Sequence, residues 1–158
     1  MNIPVQDIWP EATCYGCGPA NPDGLQIKSF LSEDSRYLVA TFHPKSKFNA
    51  GFPNVMYGGL VASLIDCHSV WTAIVFAYKA ENRDLGSQPS ISYVTGQLNI
   101  KYLKPTPLDQ PIRLKSYVEG EIGRKTQVLC ELGTDNLVTA TAEVMAVRIE
   151  ADKSLGVK

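Results

Sequence analysis

One uncharged stretch in the middle of the chain limits the folds that are open to it. From Gly59 to Tyr78 there is no Lys, Arg or Glu, and nearly every residue is apolar or small. The stretch is long enough to span a bilayer, but it contains Asp66 and His68, whose side chains are costly in lipid. A single helix of this kind in an otherwise mixed chain is typical of the buried core of a globular protein. We therefore predict one long helix that begins at Gly58-Gly59, ends near Tyr78 and is covered by the rest of the chain.

Six shorter stretches alternate between apolar and polar residues, as the strands of a half-buried sheet do. They cover residues 25–31, 37–42, 91–103, 112–118, 125–132 and 137–149. Short turns join the first two stretches and the last four, which implies antiparallel pairing, and the helix is the element available to bury the apolar face of the sheet. We predict an α+β fold in which a curved antiparallel sheet of about five to six strands wraps around one long central helix.

Length and charge exclude several classes of protein. The 158 residues fit a single domain over 1–158, with a lead-in rich in Pro, Gly and Asn over 1–24 and a flexible tail over 150–158. The formal net charge of −1 creates no global field that would attract nucleic acid or an anionic membrane, and we expect neither as a partner. The first residues lack the basic and apolar regions of a secretory signal, so we expect a cytoplasmic protein with reduced thiols.

The lead-in contains a C-x-x-C pair, Cys14 and Cys17. A structural zinc site normally takes four protein ligands, but the chain has no second such pair, and Cys67, Cys130 and the two histidines are scattered along it. A thioredoxin-like redox pair opens a helix after a strand, whereas this pair lies in a segment with turn-forming residues. We interpret the two cysteines as structural thiols and expect no metal.

The two sides of the predicted helix differ in kind. One arc is large and mostly apolar and should pack on the sheet: Leu60, Val61, Leu64, Ile65, His68, Trp71 and Val75. The other side is small or apolar where a solvated helix would be charged: Gly59, Ala62, Ser63, Asp66, Val70 and Ala73. Because a helix without a charged face is normally covered on every side, a loop, a ligand or another subunit must cover this one. We hypothesise a homodimer.

Asp66 is the one acidic residue of the helix. It follows Gly59 by seven positions, so the two share a face about 10 Å apart along the axis. The free amides at a helix start bind negative charge, and Gly58-Gly59 leaves room for a substrate oxygen. A carbonyl held there is polarised for attack by the carboxylate, or by water that the carboxylate activates, which is the geometry of acyl transfer. The alternative is that Asp66 belongs to a structural network.

Three stretches of the chain resemble motifs of one enzyme family. Residues 14–25 read CYGCGPANPDGL, residues 57–66 read YGGLVASLID, and residues 95–105 read TGQLNIKYLKP, with GRK at 123–125. They are similar to the cysteine-containing lead-in, the His-Gly-Gly helix start with its acidic residue, and the aromatic-Leu-Arg-Pro strand end with a later Gly-Arg of hotdog-fold acyl-CoA thioesterases. Within that family they resemble the phenylacetate-catabolism (PaaI-like) branch. The resemblance extends from about Cys14 to Glu150.

This resemblance implies a hotdog fold and a homodimer or homotetramer with active sites at the subunit interface. The implied reaction is hydrolysis of an acyl-CoA thioester to a carboxylic acid and CoA, without a cofactor apart from the CoA of the substrate. Asp66 would be the nucleophile or general base, the Gly59 amide would point at the thioester oxygen, and Thr95 of a partner subunit would hold the water. The family's histidine before the glycine pair is Tyr57 here, and its hydroxyl could serve as the donor instead.

Further binding residues are expected on and after the third β stretch. Alternation puts Thr95 on its polar face with Gln97 and Asn99, opposite Leu98. The cations available for the CoA phosphates are Lys101, Lys104, Arg124 and Lys125. Four aromatic residues either line an acyl tunnel or belong to the core: Trp71, Phe76, Tyr78 and Tyr93.

Two other functions remain open. Tyr57 in place of the family's histidine favours a noncatalytic acyl-CoA-binding or regulatory protein of the same fold. The same residue argues against a hotdog dehydratase, which needs a catalytic histidine paired with an acid. His68 lies on the opposite arc of the helix from Asp66, so we interpret it as a packed core residue.

Overall fold

The computed structural model describes residues 3–150, which form one long helix and six strands around it. The helix α1 is Gly58–Ala80, and the strands are β1 Ser29–Leu31, β2 Leu38–Phe42, β3 Ser92–Tyr102, β4 Ile112–Glu119, β5 Lys125–Gly133 and β6 Val138–Ile149. The strands form a single antiparallel sheet in the order β1-β2-β4-β5-β6-β3. The predicted α+β architecture, a curved sheet around a central helix, is confirmed. The predicted tail begins at residue 150 and otherwise lies outside the described residues.

The helix contributes most of one side of the core. By length and composition it could cross a membrane, but two thirds of its most apolar part is buried within the protein. Every residue of the predicted sheet-facing arc is buried, and Leu64 and Ile65 are fully so. They meet the inward side chains of the long strands, such as Leu114, Val128 and Val144. Burial of this apolar surface, at about 25 cal/mol per Å², is the main force that holds the helix in the sheet.

The other side of α1 is covered only in part by its own chain. A stripe along it is half-buried: Gly59, Ala62, Ser63, Asp66 and Val70. Ala73, which we assigned to this side, is instead fully buried. From here on we call these five half-buried residues the small-residue stripe. Gly58, Cys67 and Phe76 are half-buried as well, and Lys79 and Ala80 at the end of the helix are exposed.

His68 is a structural residue, as predicted. Its Nε2 lies 3.1 Å from the Leu38 carbonyl, which can only accept, so Nε2 carries the proton and Nδ1 accepts from the Ser29 hydroxyl at 2.8 Å. The Ser29 hydroxyl accepts in turn from the Gln6 amide at 3.0 Å. Burial lowers the pKa of His68 to about 4, and the bond to Leu38 offsets part of that shift. This network joins the lead-in, β1, β2 and α1.

The first strand is shorter than the sequence suggests. Its predicted start at residue 25 is taken up by the lead-in, because the amides of Leu25 and Ile27 donate to the carbonyls of Tyr15 and Gly16 at 2.7 and 3.1 Å. Between them Gln26 has φ of +49°, which no strand residue adopts. The described part of the predicted lead-in, residues 3–24, is therefore hydrogen-bonded to the chain that follows it.

Strand β3 contains an irregularity that changes which residues face the helix. The register to β6 shifts between Thr95 and Gln97, so Gly96 is the extra residue of a β-bulge. Thr95 is paired with Ala146, which is fully buried on the helix side, and Leu98 after the bulge also faces that side. The prediction that Thr95 shares the polar face of Gln97 and Asn99 was wrong, because strict alternation does not hold across a bulge.

Candidate active site

The start of α1 leaves two backbone donors free. Tyr57 is the N-cap residue and makes no side-chain capping bond, but its carbonyl accepts from the amides of Leu60 and Val61 at 3.0 and 3.2 Å. Within residues 3–150 the amides of Gly58 and Gly59 donate no hydrogen bond. Unpaired amides at the positive end of a 23-residue helix attract an oxygen with negative charge.

A cleft of about 200 Å³ lies beside these amides. It is lined by Tyr15, Lys47, Phe48, Asn49, Tyr57, Gly59, Leu60 and Ser63. The Tyr57 ring packs on Gly59 so closely that a β-carbon there would come within 2.4 Å of it. Lys47, whose Nζ lies 5.4 Å from the Phe48 ring centre, is a cation at this cleft that the sequence did not reveal as a site residue. Nothing in the local pattern marks it, because only the folded loop brings it to the helix start.

Tyr102 fixes the same helix start from the strand side. Its hydroxyl donates to the Gly58 carbonyl at 2.7 Å, and a β-carbon on Gly58 would sit 3.5 Å from its ring. Burial and the neighbouring Tyr57 raise the pKa of Tyr102. The hydroxyl therefore stays protonated at neutral pH and keeps donating.

Asp66 lies further along the helix, on the small-residue stripe, and it is partnered by Thr95. The Thr95 hydroxyl donates to Asp66 Oδ1 from the helix side of β3. This contact is made within one chain, whereas the resemblance implied a threonine from the partner subunit. Asp66 does not line the cleft at Gly59 of its own chain, consistent with the seven residues, about 10 Å of helix, between them.

Comparison with known proteins identifies the family of this chain. A thioesterase superfamily protein from Shewanella loihica is 32% identical, with a TM-score of 0.64, over 88% of this chain and 96% of that one. No family model matches the chain. The identity and the coverage of the Shewanella protein decide the assignment. The chain belongs to the thioesterase superfamily.

Other relatives of this thioesterase-superfamily protein are more distant. The acyl-coenzyme A thioesterase THEM4 of Rattus norvegicus is 28% identical over 84% of this chain and 52% of its own length. The chain thus spans about half the length of the curated relatives that it matches. The BH2602 protein of Bacillus halodurans, whose crystal structure was determined with CoA, is 22% identical over 86% of this chain and 81% of its own, with a TM-score of 0.62. That likeness concerns the fold.

The four predicted phosphate-binding cations are exposed. Within a single chain they lie in two separate pairs. Lys101 and Lys104 lie at the end of β3 and just beyond it. Arg124 and Lys125 lie at the opposite end of the sheet, where Lys125 pairs with Val147 near the start of β3. Lys101 is on the outer face of the sheet, in a depression with Asn99 and Thr141 among others. Their role in binding stays a prediction.

The aromatic candidates belong mainly to the core. Trp71, Tyr78 and Tyr93 are buried, while Phe76 is half-buried. The Tyr78 hydroxyl accepts from the Ile91 amide at 3.0 Å and donates to the Ser87 carbonyl at 3.2 Å. Trp71, Tyr78 and Tyr93 are therefore core residues. None of the four aromatic candidates lines the cleft at Gly59.

The cysteines are closer together than their spacing in the sequence suggested. Cys67, on α1, brings its sulfur to 3.7 Å from that of Cys14, and the sulfurs of Cys14, Cys17 and Cys67 all lie within 4.8 Å of one another. Our statement that Cys67 is scattered away from the pair was therefore wrong. Hydrogen bonding from Cys67 lowers the pKa of Cys14 to about 5, with the Gly16 and Cys17 amides contributing, while burial opposes the shift. The more deeply buried Cys67 has a raised pKa.

Proposed function

We propose that this protein is an acyl-CoA thioesterase that hydrolyses a thioester to a carboxylic acid and CoA. The observation that carries the proposal is that the Gly58 and Gly59 amides, beside a cleft and on the helix that also bears Asp66, donate no hydrogen bond within residues 3–150. Membership of the thioesterase superfamily and the CoA found with the Bacillus halodurans protein support the substrate class. The reaction needs no cofactor beyond the CoA of the substrate.

In the proposed reaction the thioester carbonyl oxygen accepts a hydrogen bond from the Gly59 amide. Charge builds on that oxygen as the carbonyl carbon becomes tetrahedral, and one such donor is worth about 3–4 kcal/mol in the transition state. The Tyr57 hydroxyl lies against Gly59 and is a second donor for the same oxygen or for the sulfur beside it. Tyr57 then takes the place of the histidine found in the resembling family.

Asp66 acts as a base on water, or attacks the carbonyl carbon itself; in the second case the thiolate leaves, and water then hydrolyses the resulting anhydride and restores the carboxylate. As a base it takes a proton from water, the hydroxide bonds to the carbonyl carbon, and the tetrahedral intermediate collapses by breaking the C–S bond. The CoA sulfur leaves with the electron pair and receives the proton from Asp66. Because Thr95 occupies Oδ1 of Asp66, Oδ2 is the oxygen left to act. Thr95 is thus a positioning residue in this proposal.

The proposed active unit is a homodimer. Ala62 and Ser63 lie midway between Gly59 and Asp66 on the small-residue stripe, so two helices crossing there in opposite directions bring Asp66 of one copy opposite Gly59 of the other. Small residues at the crossing let the helices approach closely. This arrangement supports an active site at the interface and accounts for the separation of Asp66 from the cleft of its own chain.

The same dimer offers a way to assemble the phosphate-binding cations. Strand β3 is at the edge of the sheet and is 11 residues long. Antiparallel pairing of β3 with its copy puts the end of one strand beside the start of the other, and so brings Lys101 and Lys104 of one copy toward Arg124 and Lys125 of the second. Lys47 at the cleft adds to this positive surface. CoA phosphates favour such a cluster.

The test of the proposed function is turnover of a panel of short, long and aromatic acyl-CoAs by the wild type and by Asp66→Asn. We expect Asp66→Asn to lower kcat by about 10²–10⁴-fold, the contribution of a positioned base, with little change in unfolding temperature. Asp84→Asn, at an exposed carboxylate outside the cleft, is the matched control and should keep wild-type kcat. Unchanged kcat in Asp66→Asn would remove Asp66 from the chemistry.

A second candidate function is acyl-CoA binding without turnover. The observation in its favour is the Tyr57 ring on Gly59, which occupies space beside the proposed oxyanion site. Isothermal titration with a nonhydrolysable acyl-CoA analogue, run beside the turnover assay, separates the two functions. Tight binding together with no release of free thiol from any acyl-CoA of the panel would favour the binding function.

A further inference from the structure

Three cysteine sulfurs converge on one point at the junction of the lead-in and the helix. Cys14 and Cys17 come from the lead-in and Cys67 from α1, and the three Sγ atoms all lie within 4.8 Å of one another. Cys14 is exposed, Cys67 is half-buried and Cys17 is buried. A disulfide uses two thiols, so a disulfide alone does not account for the third thiol in this group.

An N–H group of the helix points at one of these sulfurs. The indole Nε1 of Trp71 donates to Cys17 Sγ at 3.3 Å. Donors of this kind stabilise sulfur in its negatively charged form and orient it, as the outer hydrogen bonds of a metal site do. The sequence C-x-x-C at the turn has the spacing of zinc ligands.

Glycine is required at this turn because other atoms approach it closely. A β-carbon on Gly16 would lie 2.4 Å from Cys67 Sγ, and one on Gly18 would lie 2.4 Å from the Cys14 backbone nitrogen. The Gly18 amide also donates to the Cys14 carbonyl at 2.8 Å, which closes the turn. The turn therefore packs directly against the Cys67 sulfur of α1.

Contrary to the sequence-based expectation of no metal, we propose that Cys14, Cys17 and Cys67 together bind one zinc ion as thiolates, with the fourth position of the ion open on the exposed side of Cys14. Each thiol gives up its proton to solvent when its sulfur bonds to the metal. A tetrahedral ion with Zn–S bonds of about 2.3 Å separates its sulfurs by about 3.8 Å, and the Cys14 and Cys67 sulfurs are 3.7 Å apart. The remaining pairs reach that separation by movements of about 1 Å or less, since none exceeds 4.8 Å.

Zinc at this place would cross-link the lead-in to the central helix. It would also hold Tyr15, which lies between the two lead-in cysteines and lines the cleft at Gly59. Because the ion binds the folded chain better than the unfolded one, its removal should lower the unfolding temperature. The proposed thioesterase reaction does not use the zinc, so loss of the metal and loss of acyl-CoA turnover are separate outcomes.

The experiment measures zinc and cobalt in the full chain, purified without a metal-affinity tag or chelator. We expect one zinc per chain by plasma mass spectrometry, and exchange with Co²⁺ to give the thiolate-to-cobalt charge-transfer absorption of a sulfur-rich site. Cys14→Ala, Cys17→Ala and Cys67→Ala should each reduce the bound zinc at least about tenfold. Cys130→Ala, at a buried cysteine outside the cluster, is the matched control and should retain one zinc and the cobalt spectrum.

Three results would overturn the proposal. The first is a wild-type protein that takes up neither zinc nor cobalt when each is added to the reduced chain. The second is retention of full zinc by Cys14→Ala, whose exposed position makes it the variant that should fold most readily. The third is an intact mass lower by two hydrogens that is restored by reductant, with no metal uptake afterwards, which would make the cluster a disulfide site instead.

Discussion

At the scale of single residues, His68 shows how burial turns a titratable side chain into a pH-dependent contribution to stability. Its pKa falls to about 4 in the folded chain because the ring is fully buried, against about 6.5 for a histidine in the unfolded chain. Between these two values the unfolded chain binds the proton and the folded chain does not. The free energy of unfolding is therefore undiminished above about pH 6.5 and falls as the pH drops toward 4.

The prediction is that His68 lowers the free energy of unfolding by about 2 kcal/mol at pH 5 relative to pH 7. In His68→Gln the difference between the two pH values should shrink by that amount, although the variant is less stable at both because it loses bonds to Leu38 and Ser29. Urea unfolding at pH 5 and pH 7 measures it. The chain's other histidine, His43, is exposed, so His43→Gln should keep the wild-type difference. If the difference in free energy of unfolding between pH 5 and pH 7 were the same in His68→Gln as in the wild type, His68 would not be its cause.

At the scale of elements, most strands and the helix could be predicted because each has a periodic pattern of its own. The helix was expected from Gly58-Gly59 to about Tyr78 and runs over Gly58–Ala80, and the last four strands agree to within one residue at each end. The β1 start was misjudged because hydrogen bonds from the lead-in compete for that segment. A rule based on local alternation contains no information about such partners.

The bulge in β3 is the element-scale feature that the sequence did not disclose, and it decides where Thr95 points. Strict alternation across Gly96 predicted the wrong face for Thr95. One extra residue in the strand moves the side chains before it to the opposite face of the sheet, relative to those after it. The approach of Cys67 to Cys14 was missed for a related reason, since it depends on packing between segments 53 residues apart. Glycine inside an alternating run was the available signal for the bulge.

The bulge should be sensitive to added volume at Gly96. A β-carbon there would lie 2.7 Å from Val147 Cγ2, so Gly96→Ala should lower the free energy of unfolding by about 1–3 kcal/mol and reduce kcat by moving Thr95 away from Asp66. Val147→Ala removes the opposing methyl groups and should restore most of both quantities in the double variant. Chemical unfolding and acyl-CoA turnover of the two single variants and the double variant measure the coupling. If the losses of stability and turnover in the two single variants simply added in the double variant, the contact between positions 96 and 147 would not be what holds the bulge.

At the scale of the whole molecule, two features fit the proposed homodimer. The edge strand β3 has 11 residues and no neighbour on its outer side within the described chain. A long unpaired edge is normally covered or paired. The small-residue stripe of α1 is also only half-buried by its own chain. In the proposed homodimer, a second copy that paired its β3 with this one would also bring its helix toward the stripe, so that one association would cover both surfaces.

If that dimer forms the active sites, a large charged residue at the helix crossing should abolish both association and turnover. Ala62→Arg places a guanidinium where the two helices approach, and we expect a folded monomer whose kcat/KM falls by at least about 10²-fold, because Gly59 and Asp66 of different copies no longer meet. Asn136→Arg adds the same charge at an exposed position in the turn between β5 and β6 and should stay dimeric and active. Sedimentation velocity and acyl-CoA turnover, measured on the same preparations, give the two readouts. A monomeric Ala62→Arg protein with wild-type turnover would show that each chain is complete by itself, and Asp66 would then have to reach the Gly59 cleft along its own helix.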